Sequence, residues 1–576
     1  MFQIKTLIFF LAKTENKTAS CCWSLTNNIP NPIIPSPKVT TTKHPYSFYI
    51  CNKVYNHTIS SINKQHNATN MKKKAFLPLL CIIITSHLFA QFSLFDLPDS
   101  LTQKAYKSVT HHTVKIGGTA IGYTATAGTL VLKNDKDSAV AIFGYTAYTR
   151  DASPDAAKRP VTFAYNGGPG SSSMWLHMGA LGPRRVVVND PANNPPPPYN
   201  VVDNDYSLID ITDLVMIDPI GTGLSHAFNK ATNKDFWGVD EDIKSVSQFI
   251  KQYVTDNGRW NSPKYLLGES YGTFRSAGIA NYLQDNMGMA MNGVVLVSVV
   301  LDLRTLTFQN GDDISYVLHL PSYAATAWYH NKLANKPATL EPFLTEVRNY
   351  AVGEYAAALA KGASLTDAEK ANVVAKLSAY TGLSKDYLMK GNLRINEPQF
   401  TAELLRDSSF TVGRLDARYK GINQDLLGEF AYIDPQSDQI SPAFISSFLS
   451  YYYDDLKVNK NLNYHTSAYS AEGFKWNWSR GGAGNSDPTT PNTAVDLAGA
   501  MSKNPNLKIL VLNGYYDLAT PFFATEYTFN HMGLEKKIQS NITMKYYEAG
   551  HMMYINNAAL PQFKKDIAAF VASTSK

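Results

Sequence analysis

The stretch Tyr265-Leu266-Leu267-Gly268-Glu269-Ser270-Tyr271-Gly272 sets an apolar run directly against a serine held between two glycines, with an acid immediately before it. A short apolar run bounded by glycine reads as a buried strand. Gly268 to Gly272 also match the Gly-x-Ser-x-Gly pattern of a nucleophile elbow, whose glycines allow a tight turn from strand to helix and lift the serine hydroxyl out of the sheet. A plain Gly/Ser turn is the competing reading of those five residues. Partners elsewhere in the chain decide between the two.

Working outward, the region from Thr113 to Thr149 alternates and is rich in Thr, Val, Ile, Tyr and Gly, which predicts antiparallel strands joined at Lys133 to Asp137. Beyond it, buried strands alternate with helical segments. The strands are Val161 to Tyr165, Leu214 to Asp218, Tyr265 to Leu267, Val294 to Leu301, Lys508 to Leu512 and Ile542 to Tyr547; helical periodicity runs from Asp240 to Val254. Such alternation implies a mostly parallel sheet, whose chemistry gathers at the carboxyl ends of its strands. From about Asp312 to Thr493 the pattern changes to helical stretches such as Leu340–Ala360, Leu365–Tyr380 and Pro442–Leu456, read as an inserted helical cap. Residues 91–311 and 494–576 then form the two parts of one sheet domain.

A serine hydroxyl needs a base to take its proton, and the base needs an acid to fix its tautomer. Where the serine stands on a nucleophile elbow, the order along the chain is Ser, acid, His. The strand Lys508 to Leu512 runs into Asn513-Gly514-Tyr515-Tyr516-Asp517, and the strand Ile542 to Tyr547 runs into Glu548-Ala549-Gly550-His551. Asp517 and His551 thus follow successive late strands, 34 residues apart, with room for one helix between them. The other histidines lack HExxH or paired Cys/His spacing, so no metal site and no cofactor is expected.

The first 90 residues do not fit the globular pattern. Met71-Lys72-Lys73-Lys74, an apolar stretch from Ala75 to Phe89 and then Ala90-Gln91 have the basic head, apolar middle and small-residue cut of a signal peptide, expected over 71–90. A signal should begin a protein, so Met71 is read as the start and residues 1–70 as an upstream, disordered extension; the alternative keeps Met1 and makes the region around Ile82 an anchor. This segment carries ten lysines against Glu15, a charge of +9, so the chain's +6 becomes −3 without it. The basic balance is therefore no argument for nucleic acid. All four cysteines, Cys21, Cys22, Cys51 and Cys81, lie in it too, leaving the remainder without disulfides. The expectation is a secreted or periplasmic protein with no stable membrane insertion after signal removal.

Five blocks, Asn166-Gly167-Gly168-Pro169-Gly170-Ser171-Ser172-Ser173, Asp218-Pro219-Ile220-Gly221-Thr222-Gly223-Leu224-Ser225, Gly268 to Gly272, Asn513 to Asp517 and Ala549 to Met552, together resemble the serine carboxypeptidase family, in the family's order and over about Val161 to Tyr554. The resemblance implies an α/β-hydrolase fold, a mostly parallel central sheet flanked by helices. It implies Ser270 as nucleophile, His551 as general base and acid, Asp517 as its orienter, and the N–H groups of Gly168 and Tyr271 as the oxyanion hole. It further implies that Asn166 and Glu269 hydrogen-bond the terminal carboxylate of a peptide substrate. Two carboxyl groups at that distance do not both ionise comfortably, so Glu269 should hold a proton and peptide binding should be favoured at acidic pH. Ser171 departs from the family, many of whose members have cysteine there, and Gly179 to Pro183 fit its next block loosely.

The leading reading is a carboxypeptidase acting on peptides with a free C-terminus. A serine esterase or acyltransferase would use the same acyl-enzyme; an exported binding protein on this scaffold usually has a broken triad, whereas all three members are present.

Overall fold

The computed structural model describes residues 104–575 apart from 154, 156 and 482–489; the expected extension 1–70 and signal 71–90 lie outside the described residues. Three long strands, β1 (Lys107–Ile116), β2 (Thr119–Lys133) and β3 (Ala139–Arg150), form an antiparallel meander. Gly117 and Gly118, both at positive φ, supply the tight turn between the first two. β1 starts six residues before the expected Thr113 because its inner positions, such as Ser108 and Thr110, are half-buried polar residues with no apolar signal.

The principal strands that follow in this sheet are β4 (Val161–Tyr165), β5 (Asp213–Ile217), β6 (Lys264–Ser270), β7 (Gly293–Val299), β8 (Lys508–Gly514) and β9 (Ile542–Tyr547). They extend the sheet in the order β1-β2-β3-β5-β4-β6-β7-β8-β9, parallel from β5 onward, with His226–Ala227 pairing β3. This is the α/β-hydrolase fold, as expected. Because helices cover both faces, alternate residues of the central strands go to opposite cores. Leu267, Val295 and Val297 join one apolar cluster, while Leu266, Val294 and Leu296 join the other. That two-sided burial is why these strands read as continuous apolar runs.

Helix α1 (Val239–Asp256) packs against α2 (Tyr271–Met287) so closely that a Cβ on Gly278 would lie 2.2 Å from Ile243 Cδ1. After β7 the chain enters α3 (Ile314–Tyr329), α4 (Leu340–Tyr350), α5 (Asp367–Thr381) and α6 (Pro435–Ser450). Residues of α3, α4 and α5 form a third apolar cluster, joined by Tyr516, Leu518 and Phe522 from the segment after β8. The helical region also holds a short hairpin, Phe410–Val412 with Lys420–Ile422, which the sequence reading did not anticipate. Among the described residues no helix is long and apolar enough to cross a membrane.

The strand order reverses around β4: the chain leaves β4 for β5 on one side and returns to β6 on the other. In parallel sheets a crevice opens at such a point, outside the strands' carboxyl ends. Asn166 follows β4 and Ser270 ends β6, so both stand at its rim.

The opposite end of the sheet is tied by charge. Asp213, at the head of β5, accepts from Arg159 Nε at 2.7 Å and Arg259 Nη1 at 2.6 Å, all three side chains nearly buried. Asp213→Ala leaves two guanidiniums without their shared counter-ion and is expected to lower the unfolding free energy by about 3–5 kcal/mol. Urea denaturation checks this; a loss below about 1 kcal/mol, the scale of an exposed pair, would contradict it.

Candidate active site

β6 ends in a turn that few residues could make. Ser270 has φ 59° and ψ −129°, and Tyr271 already begins α2. A Cβ on Gly268 would sit 2.1 Å from the carbonyl oxygen of Gly272, and one on Gly272 would sit 2.9 Å from that of Tyr165. Both glycines of the pattern are therefore required by contact with backbone. Gly167 is required in the same way: its Cβ would lie 2.5 Å from the Tyr271 nitrogen and 2.7 Å from the Glu269 carbonyl oxygen. The loop after β4 thus runs directly against the elbow. Gly168, next along at φ 109°, brings its backbone to the same cavity as Tyr271.

Asp517 follows β8 and His551 follows β9; His551 Nδ1 lies 2.7 Å from Asp517 Oδ2. Asp517 is fully buried and also accepts from the N–H groups of Ala519 and Thr520, both at 2.9 Å, and from the Thr520 hydroxyl at 2.7 Å. The carboxylate cannot turn away from the imidazole without breaking that set. With Nδ1 engaged, Nε2 is the ring nitrogen left for the cavity, which His551 and Ser270 line together. Burial alone would depress the imidazole, but the Asp517 carboxylate outweighs it and holds His551 above its ordinary 6.5.

The backbone of His551 is fixed from two sides. Its N–H donates to the Leu415 carbonyl at 2.7 Å and its carbonyl accepts from Ser298 Oγ at 2.6 Å. The preceding Gly550 N–H donates to Asp416, a buried carboxylate paired with Arg418, which is paired in turn with Asp190. Sequence reasoning singled out none of the partners Leu415, Ser298, Asp416, Arg418 and Asp190.

Glu269 is buried beside the elbow. Its Oε2 accepts from Asn166 Nδ2 at 3.1 Å and from the Tyr554 hydroxyl at 2.6 Å. Asn166 has no freedom to turn its oxygen toward that carboxyl, because Oδ1 already accepts from the Leu176 N–H at 3.0 Å. Burial pushes the Glu269 carboxyl up to about 7, against the lowering effect of nearby His551 and of its two donors. Beneath the pair lies Arg275, fully buried on α2. It donates from Nε to Asp242 and from Nη1 to the Asn166 carbonyl, both at 2.7 Å, and its guanidinium lies over the rings of Tyr165 and Tyr271. One cation therefore binds the end of β4 to both α1 and the elbow helix.

The cavity has a volume of about 630 Å³. Its lining includes the apolar side chains of Val300, Leu303, Leu306, Phe308, Trp175 and Ile440. Among the described residues no group of His, Cys, Asp and Glu could hold a metal ion.

The family model for serine carboxypeptidases matches residues 127–564. Among solved structures the chain is similar to Kex1(delta)p, a prohormone-processing carboxypeptidase from Saccharomyces cerevisiae, at 18% identity over 77% of this chain and 91% of that one, with a TM-score of 0.48. It is also similar to juvenile hormone epoxide hydrolase from the silkworm Bombyx mori, at 10% identity over 79% of each chain and a TM-score of 0.31. Curated proteins give no match. The family match spans well over half of the sequence, and the chain belongs to the serine carboxypeptidase family.

A carboxyl at about 7 in the folded protein against an ordinary 4.5 binds its proton more tightly folded than unfolded. Its contribution to stability is fully present below pH 4.5 and lost as pH rises through about 7. Relative to Glu269→Gln, the wild-type protein is expected to lose on the order of 3 kcal/mol of unfolding free energy across that window. Tyr554→Phe, which removes a donor to the carboxylate, should move the loss to higher pH. Denaturation at a series of pH values checks both, and a constant difference from Glu269→Gln would contradict them.

Proposed function

Taking that membership as the premise, we propose that the chain removes the C-terminal residue of peptides through an acyl-enzyme on Ser270. The observation that carries this reading is the pairing of two devices in one cavity, the bonded His551–Asp517 pair beside Ser270 and the bonded Asn166–Glu269 pair next to it. The first suits acyl transfer; the second suits a substrate that ends in a free carboxylate.

In this mechanism Ser270 Oγ attacks the carbonyl carbon of the last peptide bond while His551 Nε2 takes its proton. Asp517 stabilises the imidazolium. The N–H groups of Gly168 and Tyr271 receive the negative oxygen. His551 then returns the proton to the departing amine, the C–N bond breaks and the terminal amino acid leaves. Water attacks the remaining ester with His551 again as base, which frees the shortened peptide and restores the serine.

Asn166 Nδ2 and a protonated Glu269 would each donate a hydrogen bond to the terminal carboxylate. His551 lowers the proton affinity of Glu269 and Glu269 raises that of His551, while the mechanism calls for a neutral imidazole beside a neutral carboxyl. Raising the pH through about 7 strips Glu269 and sets two carboxylates against one another. The reading therefore includes a preference for acidic pH. Export, through the segment 71–90, and the division into 91–311, 312–493 and 494–576, with the middle part as a cap, complete it.

An N-blocked dipeptide and its C-terminal amide separate this reading from an esterase or acyltransferase. The free acid should be hydrolysed far faster than the amide, and Ser270→Ala should reduce turnover on the order of 10⁴-fold or more. Equal hydrolysis of both, or cleavage of esters alone, would contradict it. In wild type, kcat/KM for the free acid should fall as pH rises through about 7. Glu269→Gln should remove that alkaline limb and shift the acidic limb down, since His551 loses a neighbouring carboxylate; the same alkaline limb in both proteins would refute the role of Glu269.

A further inference from the structure

The cavity has a charged region that the proposed chemistry leaves unused. Arg414 lines it with a side chain 53% exposed, and its guanidinium makes no hydrogen bond among the described residues. Its nearest carboxylate, Glu397 Oε2, is 3.6 Å from Nε, beyond hydrogen-bond length. Glu397 also lines the cavity, and burial pushes its carboxyl up to about 7, so it is a weak counter-ion. Gln436, fully buried at the start of α6, lines the same cavity, and neither its amide nitrogen nor its amide oxygen has a partner among the described residues.

Asp434 holds the two segments together. It accepts from the Leu415 N–H at 3.0 Å and from the Gln436 N–H at 3.1 Å, which fixes the backbone next to Arg414 and at Gln436 itself. Buried polar groups are ordinarily satisfied within a protein. An unbonded guanidinium in the cavity, with an unpartnered buried amide among the residues that line it, therefore points to a ligand with acceptor oxygens.

We infer that Arg414 and Gln436 form a side-chain subsite that selects peptides with an aspartate or glutamate at a residue flanking the scissile bond. The inference rests on the exopeptidase reading and names the substrate class of that site. A planar guanidinium takes a carboxylate through two parallel hydrogen bonds, and the Gln436 Nε2 supplies a further donor. A cationic side chain placed on Glu397, 13% exposed, would be repelled by the Arg414 guanidinium 3.6 Å from that carboxylate. The terminal carboxylate itself has its own partners in Asn166 and Glu269.

The test uses N-blocked dipeptides with Glu, Gln, Lys or Leu varied in turn at each of the two positions, at a pH where a free glutamate side chain is ionised. At one position kcat/KM for Glu should exceed that for Gln by about tenfold or more. Arg414→Gln should bring the ratio to about one while changing the leucine substrate far less, and Arg414→Lys should restore part of it. Equal rates for Glu and Gln at both positions would overturn the inference, as would a preference for Lys, which would assign the subsite to Glu397. So would an equal loss on every substrate in Arg414→Gln, which would place the guanidinium on the terminal carboxylate. Calorimetry with the Ser270→Ala protein reads the same Glu-over-Gln preference without turnover. If no dipeptide is cleaved but the preference survives there, the exopeptidase reading fails and the subsite stands; equal binding of the two overturns the subsite.

Discussion

The backbone of Ser270, at φ 59° and ψ −129°, occupies a conformation that a serine keeps only when its surroundings hold it there. Three glycines permit that packing: Gly268 and Gly272 close the turn on itself, and Gly167 lets the loop after β4 press against it. Buried Arg275, on α2, ties the loop after β4 and helix α1 to the elbow helix. The rest of the site depends on this one turn. It sets Ser270 in the lining of the cavity, starts α2 at Tyr271 in the same lining, and buries Glu269 against Asn166.

Burial of that carboxyl has a chemical consequence. Taken from water, Glu269 prefers its proton until about pH 7, and the two donors it keeps, Asn166 and Tyr554, do not reverse the preference. His551 has the opposite history: desolvation would empty it, and Asp517 prevents that. The proposed mechanism uses these opposed tendencies, with His551 as the base and Glu269 as the proton-holding partner of the substrate.

How much of this could be read from the sequence depended on distance along the chain. Val161–Tyr165 and Ile542–Tyr547 emerge with the expected bounds because an apolar run between turn residues is a local signal. Asp517 and His551 were legible for the same reason, each standing in a loop just past such a run. Tyr554 was not, since it meets Glu269 across 285 positions; nor was Arg275, whose bond to the Asn166 carbonyl spans 109, nor Asp416, which holds Gly550 across 134. A lone arginine on a helix carries no pattern that separates it from a solvated one. The hairpins Arg184–Val187 with Asn200–Asp203 and Phe410–Val412 with Lys420–Ile422 were missed because three or four residues are too few to show a period.

The most direct test of the account is covalent. The folded chain is treated with a fluorophosphonate and the modified peptide identified by mass spectrometry. One adduct is predicted, on Ser270, absent in His551→Ala and formed more slowly in Asp517→Asn. A folded protein that takes no label, or that takes it on a different serine, would contradict the convergence of these three side chains on a single reactive hydroxyl.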